Sequence, residues 1–294
     1  MSPDKVTVII PTVAEKSREH QIKRCIDSVR KSSIKPLNII IVVNGNRYDQ
    51  GIYDWLKAQK DLRTEYLEKG SLPLAILHGR SLVDTPFFST LDDDDEYLEA
   101  STDNKLAALK AEPNADLVVT NGFRHIDGTD TSLYSQTNQV STNPLASLFD
   151  ENWLNSGNAL YRTSSIPKHF FEQYHSYAEW TWLAYQLAMA GKKIVRLESY
   201  EFRIHDSADS LSKSQAFDNA YFELFKRMLA TSPPKPIKKI IAKKLGAAYH
   251  TAASQNLADG DRLQALKNHC SSLLYPGALR YLLFGRKLIP GWPV

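Results

Sequence analysis

Short apolar runs that alternate with amphipathic segments constrain the fold of this chain more than any other sequence feature. The runs VTVII (residues 6–10) and LNIIIVV (37–43) are rich in β-branched residues, as expected of strands that are buried on both faces. Between them, residues 17–33 have the apolar spacing of a helix with one buried and one basic face. The alternation continues to a third run, FFSTL (87–91). It predicts an α/β fold with a mostly parallel sheet, because parallel strands are joined by helical crossovers.

Further elements follow in the same alternation until the texture of the sequence changes near residue 213. The predicted helices are residues 50–60, 71–83, 100–111 and 178–190, and the predicted strands are residues 63–67, 115–120, 194–197 and 200–204. Residues 127–143 are predicted to form a polar loop. We therefore predict a sheet-bearing domain over residues 1–212 and a helical, basic C-terminal region over 213–294 that is broken at SPPKP (232–236).

Composition excludes several functional classes. A hydrophobic content of 43% and a charged content of 23% are ordinary for a globular protein, and a net charge of +3 does not indicate a nucleic-acid-binding protein. No run of about 18 apolar residues predicts a membrane span, and the apolar N-terminal run is too short for a signal peptide. Cys25 and Cys270 match no metal or redox spacing, so two reduced thiols in a cytoplasmic protein are expected.

Five consecutive acids, DDDDE (residues 92–96), follow directly on the apolar run 87–91. Ligands of open parallel sheets bind beyond the carboxyl ends of the strands, and Pro11-Thr12 and Asn44-Gly45 also follow strands. The three segments are thus expected to converge on one rim of the sheet.

The acidic run has the chemistry of a divalent metal site. Mg²⁺ or Mn²⁺ takes carboxylate oxygens together with substrate phosphates, and alternate residues of an extended segment point the same way. Asp92 and Asp94 would then face the site while Asp93 points elsewhere. The alternative is a solvated acidic loop or the acidic first turn of a helix.

Five motifs, in this order, resemble those of the family 2 glycosyltransferases, which are inverting enzymes of the GT-A fold. They are VTVIIPT, LNIIIVVNG, FFSTLDDDDEYL, AEWTWLAYQLAMAGKKI and YEFRIHDSADSLS, within residues 5–212. The resemblance implies a Rossmann-like, mostly parallel sheet flanked by helices, with a nucleotide-binding half (1–98) and an acceptor half (99–212). It also implies Mn²⁺- or Mg²⁺-dependent transfer of a hexosyl or N-acetylhexosaminyl group from a nucleotide-sugar, usually UDP-linked. The acceptor would be a hydroxyl of a glycan or lipid-linked glycan in surface polysaccharide synthesis.

The resemblance assigns roles by position on the donor side. Pro11 and Thr12 would hold the nucleobase and ribose, Asp92 the ribose, and Asp94 the metal ion. Asn44 stands where the family usually has an aspartate that contacts uracil, and an amide can donate as well as accept. The remaining donor-side candidates are Asp93 and Asp95 as auxiliaries, His205 near the metal or diphosphate, and Arg80 and Arg203 near the diphosphate.

On the acceptor side, inversion needs a general base that takes the proton of the attacking hydroxyl. Glu179 is the candidate, although Ala178-Glu179-Trp180 departs from the usual Glu-Asp pair. Either Glu179 supplies the base with a one-residue shift, or Trp180 occupies its position and the enzyme is impaired. Trp180 and Trp182 would stack on sugar rings and raise the pKa of Glu179.

A second acceptor-side segment, WLNSGN (residues 153–158), falls where the family places a loop beside the donor sugar and acceptor. Trp153, Gly157 and Asn158 are therefore candidates for sugar contacts, and core packing is an equal alternative for Trp153.

The C-terminal region carries a basic amphipathic helix over residues 235–245 and an apolar and basic tail over 281–292. Both suit an anionic membrane surface, which predicts a peripheral location on the inner face of the membrane. The alternative is a helical appendage whose lysines simply face solvent.

Two other functions remain open at this point. A catalytically impaired nucleotide-sugar or glycan binding protein would explain Asn44 and the missing Glu-Asp pair. A sugar nucleotidyltransferase also combines a parallel sheet with metal-binding acids, but it usually carries a glycine-rich basic loop, and PTVAEKSRE (11–19) lacks one.

Overall fold

The computed structural model of the protein describes residues 4–135, 139–206 and 215–288. The chain divides into two compact units, Met1–Ser210 and Leu211–Val294. The first contains the sheet, and the regular elements among the described residues of the second are helices.

One sheet organises the described part of the first unit. Its strands are β1 (Val6–Thr12), β2 (Asn38–Asn44), β3 (Leu62–Leu67), β4 (Phe87–Thr90), β5 (Glu96–Tyr97), β6 (Leu117–Ile126), β7 (Thr129–Ser132), β8 (Ala159–Arg162) and β9 (Ile194–His205). They lie in the order β3-β2-β1-β4-β8-β6-β9-β5, and β7 pairs with the outer part of β6.

The part of the sheet formed by the first four strands is parallel, as predicted. β3, β2, β1 and β4 are paired in parallel, whereas β8 is antiparallel to both β4 and β6. β9 runs parallel to β6 and antiparallel to the two-residue strand β5. The α/β fold class and the mostly parallel sheet flanked by helices are therefore confirmed.

Helices cover the sheet and form the second unit. They are α1 (Glu19–Lys31), α2 (Gln50–Ala58), α3 (Leu72–Ser81), α4 (Ser101–Ala111), α5 (Pro144–Asp150), α6 (His169–Glu172), α7 (Glu179–Met189), α8 (Gln215–Ala230), α9 (Lys235–Ala258) and α10 (Arg262–Ser272). Lys16–Arg18 and Ala278–Leu288 are 3-10 helical segments. The predicted inner face of α1 is confirmed, because Ile22, Cys25, Ile26 and Val29 are buried in the core beside β1 and β2.

Two predictions about local structure are wrong. Residues 129–132 are not loop but the strand β7, because Asp127 and Gly128 both adopt positive φ and form a two-residue hairpin turn after β6. The two short strands predicted over 194–204 are one strand, β9, whose pairing with β6 shifts register near Thr120 and Asn121.

The C-terminal unit is built around α9. The α9 side chains Ile237, Ile241 and Leu245 are buried, and Tyr249 stacks on Tyr275 with ring centroids 5.6 Å apart. The break predicted at SPPKP lies between α8 and α9, and its Lys235 and Pro236 begin α9. Within the described residues of the chain, no helix is both long enough and apolar enough to span a bilayer.

Candidate active site

The ends of β1, β2 and β4 meet at one rim of the sheet and are joined there by side-chain hydrogen bonds. Asn44 at the end of β2 donates its Nδ2–H to the carbonyl of Thr12 (2.9 Å). The Thr12 hydroxyl in turn donates to the Asp93 carboxylate. The convergence expected from the three apolar runs is therefore present, and the acidic run lies at its centre.

The carboxylates of the acidic run alternate in burial. Asp93 and Asp95 are only 5% and 4% exposed, whereas Asp92 and Asp94 are partly exposed. The Oδ1 atom of Asp92 is nevertheless buried and has no hydrogen-bond partner. Burial, together with repulsion from Asp94, raises the pKa of Asp92 to about 7, and Ser156 beside it opposes this rise. Asp92 is thus the member of the run whose carboxylate a hydroxyl donor or a cation would stabilise.

Arg18 is the main positive partner of these acids, and sequence reasoning missed it. Its guanidinium is bidentate to Asp93, through Nε to Oδ2 (3.2 Å) and a terminal nitrogen to Oδ1, and it lies 3.0 Å from Asp94 Oδ2. Arg24 donates to the backbone carbonyl of Asp94. Both arginines belong to the basic side of the first helical segment, which the sequence pattern assigned to solvent.

His205 and Arg203 reach the end of the acidic run from β9. The backbone N–H of His205 donates to Asp95 Oδ1 (3.1 Å), and the ring Nε2 of His205 lies 3.3 Å from Glu96 Oε1. Burial and the nearby Arg24 lower the pKa of His205. Arg203 pairs with Glu96 and with Asp130. The structure therefore brings both predicted residues to this site, with Arg203 engaged by two acids.

The residues present fit a divalent cation that has few protein ligands. Within residues 4–135, 139–206 and 215–288, no three His, Cys, Asp or Glu side chains converge in a metal-binding arrangement. Asp94 is the most accessible member of the run, with 37% of its side chain exposed, and the buried Asp92 Oδ1 lacks a partner beside it. A carboxylate or two on the rim, completed by substrate phosphates, is a coordination that Mg²⁺ commonly uses.

The loop over residues 153–158 also packs on the end of β4. The Gly157 N–H donates to the Thr90 carbonyl (2.8 Å), and its φ of +82° is one that a residue with a Cβ rarely adopts. A Cβ at this position would also lie 2.9 Å from a Leu91 methyl group. The loop thereby holds Ser156, whose hydroxyl is buried without a partner, against Asp92.

Two predicted sugar contacts in this loop have structural roles instead. Trp153 is 2% exposed and donates its indole N–H to the Pro144 carbonyl (2.9 Å). Asn158 is fully buried, and its amide bonds Asn155 N–H (2.9 Å) and the Trp153 carbonyl (2.8 Å). Neither side chain is presented to a ligand, so we remove both from the set of sugar-binding candidates.

Arg80 is likewise reassigned. It is 6% exposed, donates to the carbonyls of Thr163 (3.2 Å) and Ile166 (2.9 Å), and stacks 4.4 Å from the Phe88 ring centroid. A guanidinium held this way ties α3 to the segment after β8 and does not face a diphosphate at the rim.

Lys105 is a second residue that sequence reasoning missed. It is 1% exposed on α4, donates to the Gly157 carbonyl (2.7 Å) and lies 3.9 Å from the Tyr97 ring centroid. Burial lowers the pKa of Lys105 to about 7. This lysine supports the Gly157 loop from the interior, and nothing in its helical position distinguishes it by sequence from a surface lysine.

Glu179 begins α7 and lies in an apolar crevice. Its Oε1 accepts from the Tyr177 N–H (3.0 Å), and burial raises the pKa of its carboxyl above the ordinary 4.5. The crevice is also lined by Trp180 and by Pro73 in the first turn of α3. Because Ser71, just before α3, donates to Asn44 Oδ1 (2.9 Å), this turn lies at the rim. Glu179 therefore lies near the N-terminal end of α3, which is the end at the rim.

Two tryptophans, Trp180 and Trp182, follow Glu179 in the sequence, and only Trp180 is accessible. Trp182 is 4% exposed and stacks on Tyr185 with ring centroids 5.5 Å apart, so it belongs to the core of α7. Trp180 is half-buried in the crevice and remains a candidate for a sugar contact.

Residues 7–174, more than half of the chain, match glycosyl transferase family 2. The chain belongs to this family. The glycosyltransferase is similar in fold to S. aureus TarS: residues 1–349 of TarS in complex with UDP-GlcNAc align with 16% identity and a TM-score of 0.62, over 92% of this chain and 80% of that one. The TarS 1–349 complex with UDP aligns with 12% identity and a TM-score of 0.52, over 92% and 91%.

A longer crystal structure of TarS aligns with 14% identity and a TM-score of 0.59, over 96% of this chain and 54% of that one. No curated protein matches the chain. At these identities the TarS structures establish the shared fold, and the family match establishes that the protein is a glycosyltransferase.

Proposed function

We propose that this glycosyltransferase moves a sugar from a UDP-linked donor to a hydroxyl of a glycan or lipid-linked glycan, with inversion and with the help of Mn²⁺ or Mg²⁺. The observation that carries the proposal is the rim itself, where three strand ends converge on carboxylates and the buried Oδ1 of Asp92 has no hydrogen-bond partner. A nucleotide-sugar supplies ribose hydroxyls, and its diphosphate brings a cation. The solved TarS complexes with UDP-GlcNAc and UDP support a UDP-linked donor for a chain of this fold.

On the donor side, the buried Oδ1 of Asp92 would accept from a ribose hydroxyl, and the exposed carboxylate of Asp94 would hold the metal ion. When bound, the metal ion would neutralise charge on the departing diphosphate. Pro11 and Asn44 flank the position expected for the nucleobase. Thr12 would act through Asp93, because the Thr12 hydroxyl already donates to the Asp93 carboxylate. Asp93 and Asp95 then shape the run, and His205 orients it through Asp95 and Glu96.

On the acceptor side, Glu179 would take the proton of the acceptor hydroxyl as that oxygen attacks the anomeric carbon. The bond to the acceptor forms on the face opposite the breaking bond to the diphosphate, which inverts the anomeric centre. The apolar crevice raises the pKa of Glu179, which makes it a stronger base. Trp180 would offer its ring to the sugar, and Gly157 keeps the neighbouring loop close to the strand end.

Lipid-linked acceptors of surface polysaccharide synthesis would place the enzyme in the cytoplasm, at the inner face of the membrane. The excess of basic residues in the C-terminal unit supports a peripheral attachment of this kind.

Nucleotide binding tests the donor side. We expect UDP to raise the melting temperature of the wild type in the presence of Mn²⁺, and we expect Asp94→Asn to abolish the dependence of that shift on metal. Asp27→Asn removes an exposed acid from α1 and is the matched control. If no nucleoside diphosphate stabilises the wild type, with or without metal, the proposed donor is wrong.

Turnover tests the acceptor side. Glu179→Gln should lower kcat by roughly 10²- to 10⁴-fold, as loss of a general base does, with little change in KM for the donor. Activity of the wild type should fall as the pH drops through the raised pKa of Glu179. Glu172→Gln, an exposed acid on α6, is the control. Equal activity of Glu179→Gln and wild type would remove Glu179 as the base. UDP binding by a wild type that turns over no sugar nucleotide would favour a binding protein.

A further inference from the structure

The C-terminal unit exposes leucines. Leu274, Leu279, Leu282 and Leu283 are 84%, 82%, 53% and 67% exposed. Solvent-facing apolar side chains that cluster within ten residues of sequence are unusual in a protein that presents no partner. The cluster therefore indicates that this surface contacts another molecule.

The segment Ala278–Leu288 has two faces, which its contacts define. Tyr281 stacks on His250 with ring centroids 4.1 Å apart, and Phe284 packs against His250 (4.9 Å) and His269 (5.4 Å). These aromatic residues attach the segment to α9 and α10. Leu279, Leu282 and Leu283 lie on its other, outer face.

Two basic residues follow the leucines in this segment. Arg286 and Lys287 are both exposed. We name Leu279, Leu282, Leu283, Arg286 and Lys287 the leucine strip.

The charge of the whole unit agrees with the strip. Residues 211–294 contain 13 Lys and Arg against 4 Asp and Glu, a formal charge of +9, whereas residues 1–210 contain 23 against 29, a charge of −6. The basic excess of the chain therefore resides entirely in the unit that exposes leucines.

We infer that the leucine strip docks the C-terminal unit on an anionic lipid bilayer. Leucines would enter the boundary between head groups and acyl chains, while Arg286 and Lys287 would meet lipid phosphates. A second copy of the chain fits less well, because a self-complementary contact would bring two sets of cations together. The inference builds on the proposed peripheral location but is independent of the donor and metal assignments.

The leucine strip overlaps the apolar and basic tail predicted over residues 281–292, whereas the amphipathic helix predicted over 235–245 does not present its apolar face. The apolar side chains of α9, Ile237, Ile241 and Leu245, are already buried within the unit. The exposed side of that helix carries lysines, including Lys238 and Lys239. They would attract the unit to an anionic surface from a distance, and the leucine strip would insert.

Vesicle co-sedimentation of the full chain tests the inference. The wild type should sediment with vesicles that contain about 30 mol % phosphatidylglycerol and remain in solution with phosphatidylcholine alone. The double variant Leu282→Asp/Leu283→Asp should lower the partition coefficient roughly tenfold or more, because it removes the inserted area. Ile34→Asp, at a 96% exposed position of the other unit, should bind like the wild type.

Two charge variants separate the strip from α9. Arg286→Glu/Lys287→Glu should abolish sedimentation, whereas Lys238→Glu/Lys239→Glu should weaken it only a few-fold, as expected for charges that do not touch the lipid. If the α9 variant abolishes binding while the leucine variant sediments like the wild type, the inference is wrong. It is also wrong if free glycerol phosphate displaces the protein from vesicles, since the site would then be a phosphate pocket.

Sedimentation velocity without lipid addresses the second copy. A wild type that is dimeric and a Leu282→Asp/Leu283→Asp variant that is monomeric would overturn the lipid assignment. UDP binding by the strip variants distinguishes the two proposals, because it should be unchanged even if membrane binding is lost. Conversely, Glu179→Gln should still sediment with anionic vesicles.

Discussion

The two units of this glycosyltransferase differ in whether their charged side chains are buried or exposed. The sheet-bearing unit buries ionisable groups, with Asp93, Asp95 and Lys105 no more than 5% exposed, while the C-terminal unit keeps its cations in solvent and exposes leucines beside them. Burying charge costs folding free energy unless it is paired, and buried ionisable groups cluster at functional sites. An exposed leucine costs little in folding but favours association. The first pattern indicates a small-molecule site, and the second indicates a surface for a large partner.

The largest expected effect concerns the core of the C-terminal unit. Ile241→Ala should lower the free energy of unfolding by about 3 kcal/mol, because Ile241 is fully buried on the inner face of α9. The measurement is urea unfolding of the full chain, followed by circular dichroism. Ile240→Ala is the matched control at a partly exposed neighbouring position and should cost less than about 1 kcal/mol. Equal effects at the two positions would contradict the assigned orientation of α9.

A smaller effect should follow from the buried lysine of the other unit. The pKa of Lys105 is lowered to about 7 in the folded protein from 10.5, so the folded state binds fewer protons than the unfolded state between these values. The unfolding free energy of the wild type should therefore rise with pH relative to Lys105→Met, by about 2 kcal/mol between pH 7 and pH 9. Lys110→Met, at an exposed position of the same helix, should show no such difference from the wild type. A parallel pair of pH profiles for Lys105→Met and wild type would show that Lys105 stays charged.

The smallest expected effect sharpens the role of the arginine on the acidic run. Arg18 neutralises Asp93 and Asp94, so Arg18→Gln should bind Mn²⁺ about 3- to 10-fold more tightly in the absence of nucleotide, as loss of a competing surface cation predicts. Isothermal titration calorimetry measures this directly. Arg30→Gln removes a charge from α1, the helix that follows Arg18; Arg30 pairs with Asp61 there, and its loss should leave Mn²⁺ affinity unchanged. Weaker Mn²⁺ binding by Arg18→Gln would mean that Arg18 organises the acids for metal and does not compete with it.

The sequence was sufficient for those parts of the site that depend on local pattern. Apolar runs locate the strands, and the parallel arrangement then brings Thr12, Asn44 and Asp92 to one rim without further information. The predicted alternation along the acidic run is present, with Asp93 and Asp95 buried, although its backbone forms a turn closed by the Asp95 N–H and the Asp92 carbonyl (3.1 Å) and is not extended.

Arg18 and Lys105 could not be found in this way. Arg18 contacts an acid 75 positions away in the chain, and a basic helix face reads as solvated until its neighbours are known. Lys105 is the converse case, since a lysine in a helix is assumed to be exposed. In both cases the missing information is which element covers the helix.

Residue type was misleading for Arg80, Trp153 and Asn158. Each has the chemistry to bind a phosphate or a sugar, but each is used to hold backbone carbonyls or loop amides inside the protein. The same limitation applied to residues 235–245, where periodicity gave the amphipathic helix correctly but did not reveal that the unit itself covers the apolar face.

Asn44 also restricts how this enzyme can change during evolution. Its amide donates to Thr12 and accepts from Ser71, and an aspartate at this position would place a carboxylate against the Thr12 carbonyl with no proton to offer. Replacement of Asn44 by the aspartate that the family resemblance implies would therefore loosen the junction of β1, β2 and α3 before any contact with a nucleobase could form. The neutral bridge also holds this junction in the same way at acidic and neutral pH. Accommodating an aspartate at position 44 would thus require compensating changes in two other elements.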